Sequence, residues 1–561
     1  MLSDIPHITL IWFGNGESVP RWPLGDVLVA EPSVLFVASL IRENLPVSTS
    51  DAWLFWDGSL GNPDPEQVIE IMKRPGNIRH AGLKLGMRGL PAAIDFVSPA
   101  WMLNRDPDPA IEATSWRLTW RCCLIQTNVL RQMGGIDSRF ESLDAAMLEF
   151  GHRCVTRGVI TRHLPRLILD GASASMPELS CEDEFRFINY RFGMKWLTWA
   201  FSRTIMQGNV SRKTALKAYL RIRREQRTAT PAPYKQEAIS RNGIASDARV
   251  SIIIPTVDRY PYLQSLLAQL RNQTVRPHEV IIIDQTETEH RRTDFGQPFP
   301  ELPVTVLYRD EAGQCSSRNA GLQHSTGDYI LFLDDDDDSL PATLIESHLK
   351  TLYEFRADVS SGVVQEVGIE RLPDEFTLMR VSDVFPTNNT LVRREVLYKS
   401  GLFDLAYEKG VRADGDLGMR IYLSGALMIL NPDISLLHHH APSGGLRKHK
   451  ARVVTYAASK KSLTIRHLPN PTEAYLLYRY YSDRQVGESL LLRVFGSLFV
   501  EGNLLKRSLR LAIGMAFLPL TLGQVRRRYV EGKKLLTEFP IIPRLRKDQQ
   551  SSKQFIAHVS D

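Results

Sequence analysis

The sequence YILFLDDDDDSLP, at residues 329–341, has five consecutive aspartates directly after a short apolar run. An apolar run of this length, bounded by polar residues, is typical of a buried strand. Five adjacent carboxylates repel one another, so the cluster is costly unless a cation or solvent neutralises it. A divalent metal, which prefers hard oxygen ligands, is the natural neutraliser. A solvated acidic loop is the alternative interpretation.

Three earlier apolar runs predict further strands at residues 250–255, 279–284 and 304–308. Helices are predicted between them at residues 262–272, 316–323 and 341–355, the first from the spacing of its leucines. Alternating strands and helices predict an α/β fold with a doubly wound, mostly parallel sheet. Ligands of such sheets bind beyond the carboxyl ends of the strands. The polar residues at these predicted ends are Thr256, Asp258, Asp284 and Asp334 to Asp338.

Four ordered blocks resemble family 2 glycosyltransferases with the GT-A fold: VSIIIPTVDR (250–259), EVIIIDQTETE (279–289), SSRNAG (316–321) and LFLDDDDDSLP (331–341). The resemblance implies that Asp334 and Asp336 form the D-x-D pair, with Asp336 the closer ligand of a divalent metal, Mn²⁺ or Mg²⁺. It also implies a nucleotide-sugar site, to which the matching residues are Pro255, Thr256, Asp258, Asp284, Arg318, Asn319, Asp334 and Asp335. The family more often has a second acid and Gly-Ser after the position of Asp284, so Gln285-Thr286 leave the nucleotide open.

The segment VRREVLYKSGLFDLAYEKGVRADGDLGMRIYLSG (392–425) resembles the acceptor-side segment of the same family. The family's Glu-Asp pair is Ala413-Asp414 here, and the resemblance implies that Asp414 is the general base. It would take a proton from the acceptor hydroxyl as that oxygen attacks the anomeric carbon. A single base of this kind implies direct displacement with inversion. The alternative is that Asp414 and Asp416 cap or solvate a helix predicted to start near Leu417.

The stretch LLHHHAPSGGLRKHK, at residues 436–450, has three histidines before a Gly-Gly loop. This pattern suits a metal ligand followed by a mobile lid. His438 or His440 would complete the metal shell, and Arg447 would hold the diphosphate. A polar surface loop is the alternative.

The N-terminal half repeats the acceptor-side segment without gaps. NVLRQMGGIDSRFE (128–141) aligns with EVLYKSGLFDLAYE (395–408), and in that register Met147 and Glu149 occupy the positions of Asp414 and Asp416. Similarly, AWLFWDGSLGNPD (52–64) aligns with the aspartate run, but Ser59 replaces Asp336. The thioether of Met147 cannot take a proton as Asp414 would. The first half is therefore predicted to be a degenerate GT-A-like domain that acts as a scaffold or acceptor-binding surface, and a second active transferase is the alternative.

Four regions are predicted along the 561 residues. They are the degenerate GT-A-like domain (1–200), a helical and linker segment (201–249), the catalytic GT-A domain (250–460) and a helical, basic C-terminal region (461–561). The linker is predicted because residues 228–249 lack apolar periodicity and contain two prolines.

The C-terminal region carries most of the positive charge. Residues 503–550 have 11 Lys/Arg against 3 Asp/Glu, while the whole chain has a net charge of +6. Apolar blocks with basic flanks suit an interfacial helix on an anionic membrane, and a helical hairpin packed on the catalytic domain is the alternative. No signal peptide or spanning run is predicted, and five cysteines without a framework favour a reducing compartment. We therefore expect a cytoplasmic protein, peripheral to the inner face of the membrane, with no nucleic-acid partner.

These features together predict an inverting, metal-dependent glycosyltransferase. It would move a sugar from a nucleotide-diphosphate sugar donor to a glycan or lipid-linked acceptor, in cell-surface polysaccharide or glycolipid biosynthesis. A sugar-phosphate nucleotidyltransferase is disfavoured because residues 256–260 are not a Gly-rich basic loop. A non-catalytic glycan-binding protein is disfavoured by the intact acids Asp334, Asp336 and Asp414.

Overall fold

The computed structural model describes residues 5–14, 19–87, 95, 103–168, 178–237, 247–367, 372–439, 441, 462–464 and 466–546. The strands in these residues are β1 (Ile8–Phe13), β2 (Val27–Val29), β3 (Ala52–Asp57), β4 (Ile78–His80), β5 (Ala113–Thr114), β6 (Cys122–Gln126), β7 (Thr161–His163), β8 (Val250–Thr256), β9 (Glu279–Asp284), β10 (Val304–Tyr308), β11 (Tyr329–Phe332), β12 (Asp337–Asp338), β13 (Val359–Glu366), β14 (Arg380–Val381), β15 (Thr390–Arg393) and β16 (Met428–His438). The helices are α1 (Val34–Asn44), α2 (Pro65–Met72), α3 (Thr127–Met133), α4 (Leu143–Thr156), α5 (Cys181–Phe192), α6 (Met194–Gln207), α7 (Arg212–Ile222), α8 (Tyr260–Leu270), α9 (Gln314–His324), α10 (Leu344–Phe355), α11 (Arg394–Ser400), α12 (Ala413–Leu423), α13 (Pro471–Tyr480), α14 (Asp483–Gly496), α15 (Leu504–Ala516) and α16 (Leu518–Glu538).

The second sheet, which contains the aspartate run, has the order β10-β9-β8-β11-β15-β13-β16-β12, with β14 paired to β16. Strands β10, β9, β8 and β11 are parallel neighbours, and their isoleucine-rich runs are buried on both faces, as parallel sheets require. The predicted α/β fold of the GT-A type is confirmed. The sheet is more mixed than predicted, because β15 runs antiparallel to both β11 and β13.

The first sheet repeats this topology strand for strand. Its order is β2-β1-β3-β6-β4-β7-β5, which corresponds to β9-β8-β11-β15-β13-β16-β14 in the second sheet. Every neighbouring pair has the same parallel or antiparallel sense as its counterpart. In the part of the first unit that the structure describes, β10 and α8 have no counterparts. Among its described residues, the first unit therefore lacks two elements of the half that would hold a nucleotide.

A buried arginine makes the same contacts in both units. Its guanidinium pairs with an acid four residues earlier and donates hydrogen bonds to two backbone carbonyls of the preceding loop. In the first unit these residues are Arg153, Glu149, Met133 and Gly135, and in the second they are Arg420, Asp416, Ser400 and Leu402. Corresponding residues are 267 positions apart, which is the offset of the gapless sequence alignment. Glu149 and Asp416 are thus structural acids that orient the helix after this loop.

The two units touch through a pair of reciprocal glycine contacts. A Cβ on Gly158 would lie 2.5 Å from the carbonyl oxygen of Met379, and a Cβ on Gly425 would lie 2.4 Å from that of Glu112. Both glycines have left-handed φ angles, +95° and +90°. Because each glycine and each carbonyl has its counterpart in the other unit, the interface has approximate two-fold symmetry.

Replacing Gly425 with alanine is expected to lower the free energy of unfolding by at least about 3 kcal/mol. A left-handed residue other than glycine costs roughly 1–2 kcal/mol, and the methyl group would also overlap a backbone oxygen that belongs to a packed element. Gly208→Ala is the matched control, since Gly208 has a φ of +71° but no atom within 4 Å of its would-be Cβ. Denaturant unfolding of both variants would measure the difference, and equal losses would refute the close packing of the two units.

The C-terminal helices pack on the second unit through one face. Helices α13, α14 and α16 share a small apolar core that includes Leu477, Val486 and Val525. Tyr475 and Arg479 of α13 bind the buried carboxylate of Asp404. No single described helix is long and apolar enough to cross a membrane, whereas α15 and α16 meet those criteria together as a pair bent by 66°.

Candidate active site

A cleft of about 1060 Å³ lies at the carboxyl ends of β8 and β11. Many of the residues predicted from the sequence lie on its wall: Pro255, Thr256, Arg318, Asp334, Asp335, Asp336, Asp414 and His438. Asp258, Asp284 and Asn319 are not part of this wall. His440 and Arg447 lie outside the described residues. The structure thus brings the aspartate run and the proposed base into one cavity.

The aspartate run divides because the chain turns back onto β16. β11 ends at Phe332, and the two-residue strand β12 pairs antiparallel with β16, with Asp337 opposite His438. The first three aspartates therefore lie in the loop that forms the cleft wall. Asp337 and Asp338 lie away from the cleft and contact His438 and His439, at the end of β16 and just after it.

Each of the five carboxylates has an arginine or histidine side chain beside it. The pairs are Asp334 with Arg318 at 2.5 Å, Asp335 with Arg259 at 2.9 Å, Asp336 with Arg259 at 3.1 Å, Asp337 with His438 at 3.0 Å and Asp338 with His439 at 2.7 Å. The charge repulsion predicted from the sequence is therefore partly offset by the protein itself. Sequence reasoning missed Arg259, although it directly follows the polar end of the first strand.

Asp336 retains one oxygen with unused capacity. Its side chain is 1% exposed, and Oδ2 accepts a hydrogen bond from the Ala441 backbone at 2.8 Å. Oδ1 accepts no hydrogen bond, because the guanidinium of Arg259 is close enough for an ion pair but its N–H groups are not aimed at this oxygen. A buried carboxylate oxygen without a hydrogen bond is rare and suits a cation. This atom is the best-defined point for a metal on the cleft wall.

No group of three or more His, Cys, Asp or Glu side chains is arranged to hold a metal among the residues that the structure describes. Mg²⁺ in nucleotide sites is usually held by one or two carboxylates together with the phosphates of the substrate, rather than by a complete protein cage. Asp336 and its neighbour Asp334, which is 24% exposed, meet that smaller requirement. The residues present therefore fit a divalent ion that arrives with a diphosphate.

His438 is held as a cation in this arrangement. Partial burial lowers its pKa, but the hydrogen bond from its ring to Asp337 and the charges of Asp334 and Asp336 outweigh burial and raise the pKa to about 9. A protonated imidazole has no lone pair for a metal. The role of His438 as a metal ligand stays a prediction, and it requires loss of that proton when a metal binds.

Asp284 and Asn319, both predicted to contact the nucleotide, form hydrogen bonds within the protein. The carboxylate of Asp284 is fully buried and accepts hydrogen bonds from the Tyr260 hydroxyl at 2.7 Å and the Thr286 backbone at 2.9 Å. The Asn319 amide donates to the carbonyl of Phe403 and accepts from its N–H. The structure therefore assigns both side chains to building the cleft wall rather than to lining it.

The loops after β8 and β9 place different residues near the nucleotide side of the cleft. Asp258 is exposed and has a left-handed φ of 56°, and its backbone N–H donates to Thr286. Gln285 reaches the cleft wall and accepts a hydrogen bond from the N–H of Gly313 at 2.6 Å. The residue that departs from the family pattern thus lines the cleft where Asp284 does not.

Asp414 is the acid of its segment that reaches the cleft. It is the second residue of α12 and its side chain is exposed on the cleft wall. Asp416 is fully buried and pairs with Arg420 and Arg479. Of the two acids, Asp414 is the one positioned to take a proton from a ligand.

A carboxylate that sequence reasoning missed connects the two halves of the cleft. Glu408 accepts hydrogen bonds from the backbone N–H groups of Cys315 and Ser316, both at 2.9 Å, and from the Ser316 hydroxyl. Gln314 donates to the Gly410 carbonyl at 2.5 Å. The first turn of α9, which also carries Arg318, is thereby fixed to the loop before Asp414.

A profile described as glycosyl transferase family 2 matches residues 251–416. The match begins in β8, includes the aspartate run and ends just after Asp414, so it covers both halves of the cleft. Residues 251–416 belong to glycosyl transferase family 2. The family 2 domain therefore contains the aspartate run and Asp414, whereas Glu473 of the cleft wall lies beyond it.

Curated relatives of the family 2 domain come from several bacteria. The uncharacterized glycosyltransferase YwdF of Bacillus subtilis (strain 168) is 27% identical over 168 residues, which are 28% of this chain and 62% of that protein. The GalNAc(5)-diNAcBac-PP-undecaprenol beta-1,3-glucosyltransferase of Campylobacter jejuni is 24% identical over 99 residues, or 17% of this chain and 32% of that protein. The chain thus spans less than two thirds of the length of these relatives.

A mannosyltransferase from Pyrobaculum calidifontis, solved with GDP-Man and Mn²⁺, is a partial structural match. It has a TM-score of 0.34 and 19% sequence identity, and the alignment covers 54% of this chain and 89% of that chain. The donor and metal are properties of that protein.

Proposed function

We propose that the family 2 domain is an inverting, metal-dependent glycosyltransferase that uses a nucleotide-diphosphate sugar as donor. The observation that carries this proposal is the joint presence of Asp334, Asp336 and Asp414 on the wall of one cleft. Two acids suit the diphosphate side of the reaction, and the third suits the acceptor side. A cleft of about 1060 Å³ is large enough for a ligand of this class.

Asp336 and Asp334 are the residues that would hold a divalent cation, Mn²⁺ or Mg²⁺. Such an ion offsets the charge of the diphosphate leaving group as the glycosyl bond breaks. Arg318 and Arg259, which adjoin these acids, add fixed positive charge on the same side of the cleft. Pro255, Thr256 and Gln285 bound the space available to the nucleoside.

Asp414 takes the proton of the acceptor hydroxyl while the oxygen of that hydroxyl attacks the anomeric carbon. The bond from the anomeric carbon to the diphosphate oxygen breaks as the new glycosidic bond forms, so the configuration inverts. The proton stays on the Asp414 carboxylate until it is exchanged with water. A general base of this kind contributes roughly 10²–10⁴-fold to the rate.

The acceptor is a glycan or a lipid-linked sugar, in the setting of cell-surface polysaccharide or glycolipid assembly at the cytoplasmic face of a membrane. The substrate in the name of the Campylobacter jejuni relative, a diphosphate-undecaprenol glycan, supports this class of acceptor. The first unit serves as a scaffold or acceptor-binding surface, because Met147, which is fully buried, occupies the position of Asp414.

A thermal-shift screen of nucleotide sugars with Mn²⁺ or Mg²⁺ tests the proposal. We expect one donor to raise the unfolding temperature only when the metal is present, since a ligand at about 100 times its Kd stabilises by about 2.7 kcal/mol. The stabilising donor should then be hydrolysed slowly without acceptor. If none of the donors stabilises the protein with either metal, the glycan-binding alternative replaces the enzyme.

A further inference from the structure

The bend between α15 and α16 exposes a large apolar surface. We call residues 504–522 the elbow. Its exposed side chains, with their exposed fractions, are Leu504 at 80%, Leu505 at 77%, Leu520 at 64%, Phe517 at 54%, Met515 at 51%, Leu509 at 46% and Leu511 at 43%. Single exposed leucines are ordinary on protein surfaces, but a contiguous group of this size marks an interaction site.

In the elbow, an arginine is buried and leucines are exposed, which is the reverse of a surface helix in water. Arg510 of α15 is 1% exposed and donates hydrogen bonds to the carbonyls of Ser462, Leu463 and Ser497. These bonds fix the rotation of α15, so that its arginine points inward and its leucines point outward. A helix facing water would show the opposite arrangement, because charged side chains are rarely buried and apolar stripes face the core. The outer face therefore suits a medium that is itself apolar.

The charge beside the elbow selects the partner. Residues 503–530 contain six Lys/Arg and no Asp/Glu. Arg507 lies within the elbow on α15, and Arg526 and Arg527 follow the elbow on α16; all three are exposed. Apolar side chains flanked by arginine and lysine match a membrane surface that contains anionic lipids. A second copy of this chain would bring the same positive charges together and is disfavoured.

We propose that the elbow inserts its apolar face into the headgroup region of an anionic membrane while the chain stays peripheral. The inserted residues are those around Leu505, Phe517 and Leu520, and the exposed arginines contact the lipid phosphates. The two helices are bent by 66° and neither is long and apolar enough to cross a membrane by itself, which is compatible with a peripheral position.

The same helices connect this surface to the cleft. Arg528 and Leu535 of α16, together with Arg466, His467 and Leu468, line the cleft. A membrane bound at the elbow therefore lies on the side from which a lipid-linked acceptor would approach, an orientation that rests on the proposed function. Binding to the membrane itself does not depend on that function.

Co-sedimentation of the full chain with vesicles tests the inference. We expect binding to phosphatidylcholine vesicles that contain phosphatidylglycerol and weak binding to phosphatidylcholine alone, because the arginines act through lipid charge. The double variant Leu505→Glu, Phe517→Glu should lose at least about tenfold in vesicle affinity. Two apolar side chains that would insert into the membrane are replaced by negative charges that the anionic surface repels. Met206→Glu is the matched control, because Met206 is 69% exposed in α6 of the first unit, and it should bind like the wild type.

Three results would overturn the inference. They are wild-type protein that does not bind the anionic vesicles, a double variant that binds as well as the control, and bound protein that resists extraction by alkaline carbonate, which would indicate a membrane-inserted segment. A dimer in light scattering that the double variant dissolves would show that a second copy covers the elbow instead. Thermal stabilisation by a nucleotide sugar, measured without vesicles, reports separately on the proposed function.

Discussion

Asp414→Asn is expected to lower the rate of sugar transfer by about 10³-fold while leaving donor binding nearly unchanged. Asparagine has almost the same shape as aspartate but cannot accept the acceptor proton at neutral pH, and general bases contribute roughly 10²–10⁴-fold. Asp414 is exposed at the start of α12, so the substitution does not leave a buried group without a partner. The turnover number measured at saturating donor and acceptor is the quantity that should fall.

The control for this variant is Asp433→Asn, which neutralises an exposed acid on β16 that is not part of the cleft wall. It should transfer sugar at the wild-type rate. If Asp414→Asn also kept that rate, Asp414 would only solvate or stabilise the helix, and the base would have to be sought elsewhere on the cleft wall. A fall in donor affinity with an unchanged turnover number would argue against the base as well.

Asp336→Asn is expected to lower the rate by about 10²-fold or more and to weaken the dependence on Mn²⁺. Oδ1 of Asp336 is buried without a hydrogen bond and has only an ion pair with Arg259, so it can also bind a cation. Losing several kcal/mol of charge stabilisation in the transition state corresponds to a loss of this size. Asparagine can still accept the hydrogen bond from Ala441, which keeps the loop in place.

Asp338→Asn is the matched control within the same run of acids. Asp338 pairs with His439 and accepts a hydrogen bond from Gln269, and it is not part of the cleft wall. Its neutralisation should leave the metal dependence intact. Equal losses for the two variants would mean that the run acts through its total charge and that no single acid is a ligand.

The strands of the second sheet could be predicted from sequence because their isoleucine runs are buried on both faces. The predicted strands at 250–255 and 279–284 differ from β8 and β9 by at most one residue. The position of the aspartates at a strand end followed from the same periodicity. The antiparallel direction of β15 relative to β11 could not be predicted, since nothing in a four-residue run determines the direction in which it pairs.

Contacts between distant parts of the chain determine which aspartates line the cleft and which lie against histidines. Arg259 lies 76 positions from Asp335, and His438 lies 101 positions from Asp337. Local patterns do not carry such pairings. For the same reason the sequence could not show that Tyr260 and Thr286 donate hydrogen bonds to the Asp284 carboxylate. Nor could it show that the Asn319 amide donates a hydrogen bond to the Phe403 carbonyl.

The repeat in the N-terminal half was visible in the sequence because its register is gapless. The structure adds the reason for that register, since Arg153 and Arg420 need the same spacing to their acids and to the carbonyls of the preceding loop. The tail left two interpretations open. Its helices share an apolar core around Val525 and bind Asp404 of the second unit through Tyr475 and Arg479, while the elbow stays exposed. A packed tail is therefore compatible with a membrane-facing surface.

The central claim is that the acids at the end of β11 hold a cation together with a diphosphate. The most direct measurement is the affinity of UDP and of GDP for the wild-type protein and for Asp336→Asn, by titration calorimetry with and without Mn²⁺. We expect Mn²⁺ to tighten binding of one nucleotide to the wild type by at least about tenfold, a coupling of about 1.4 kcal/mol, and to have little effect on the variant. Nucleotide binding to the wild type that Mn²⁺ leaves unchanged, or the same coupling in the variant, would contradict the account.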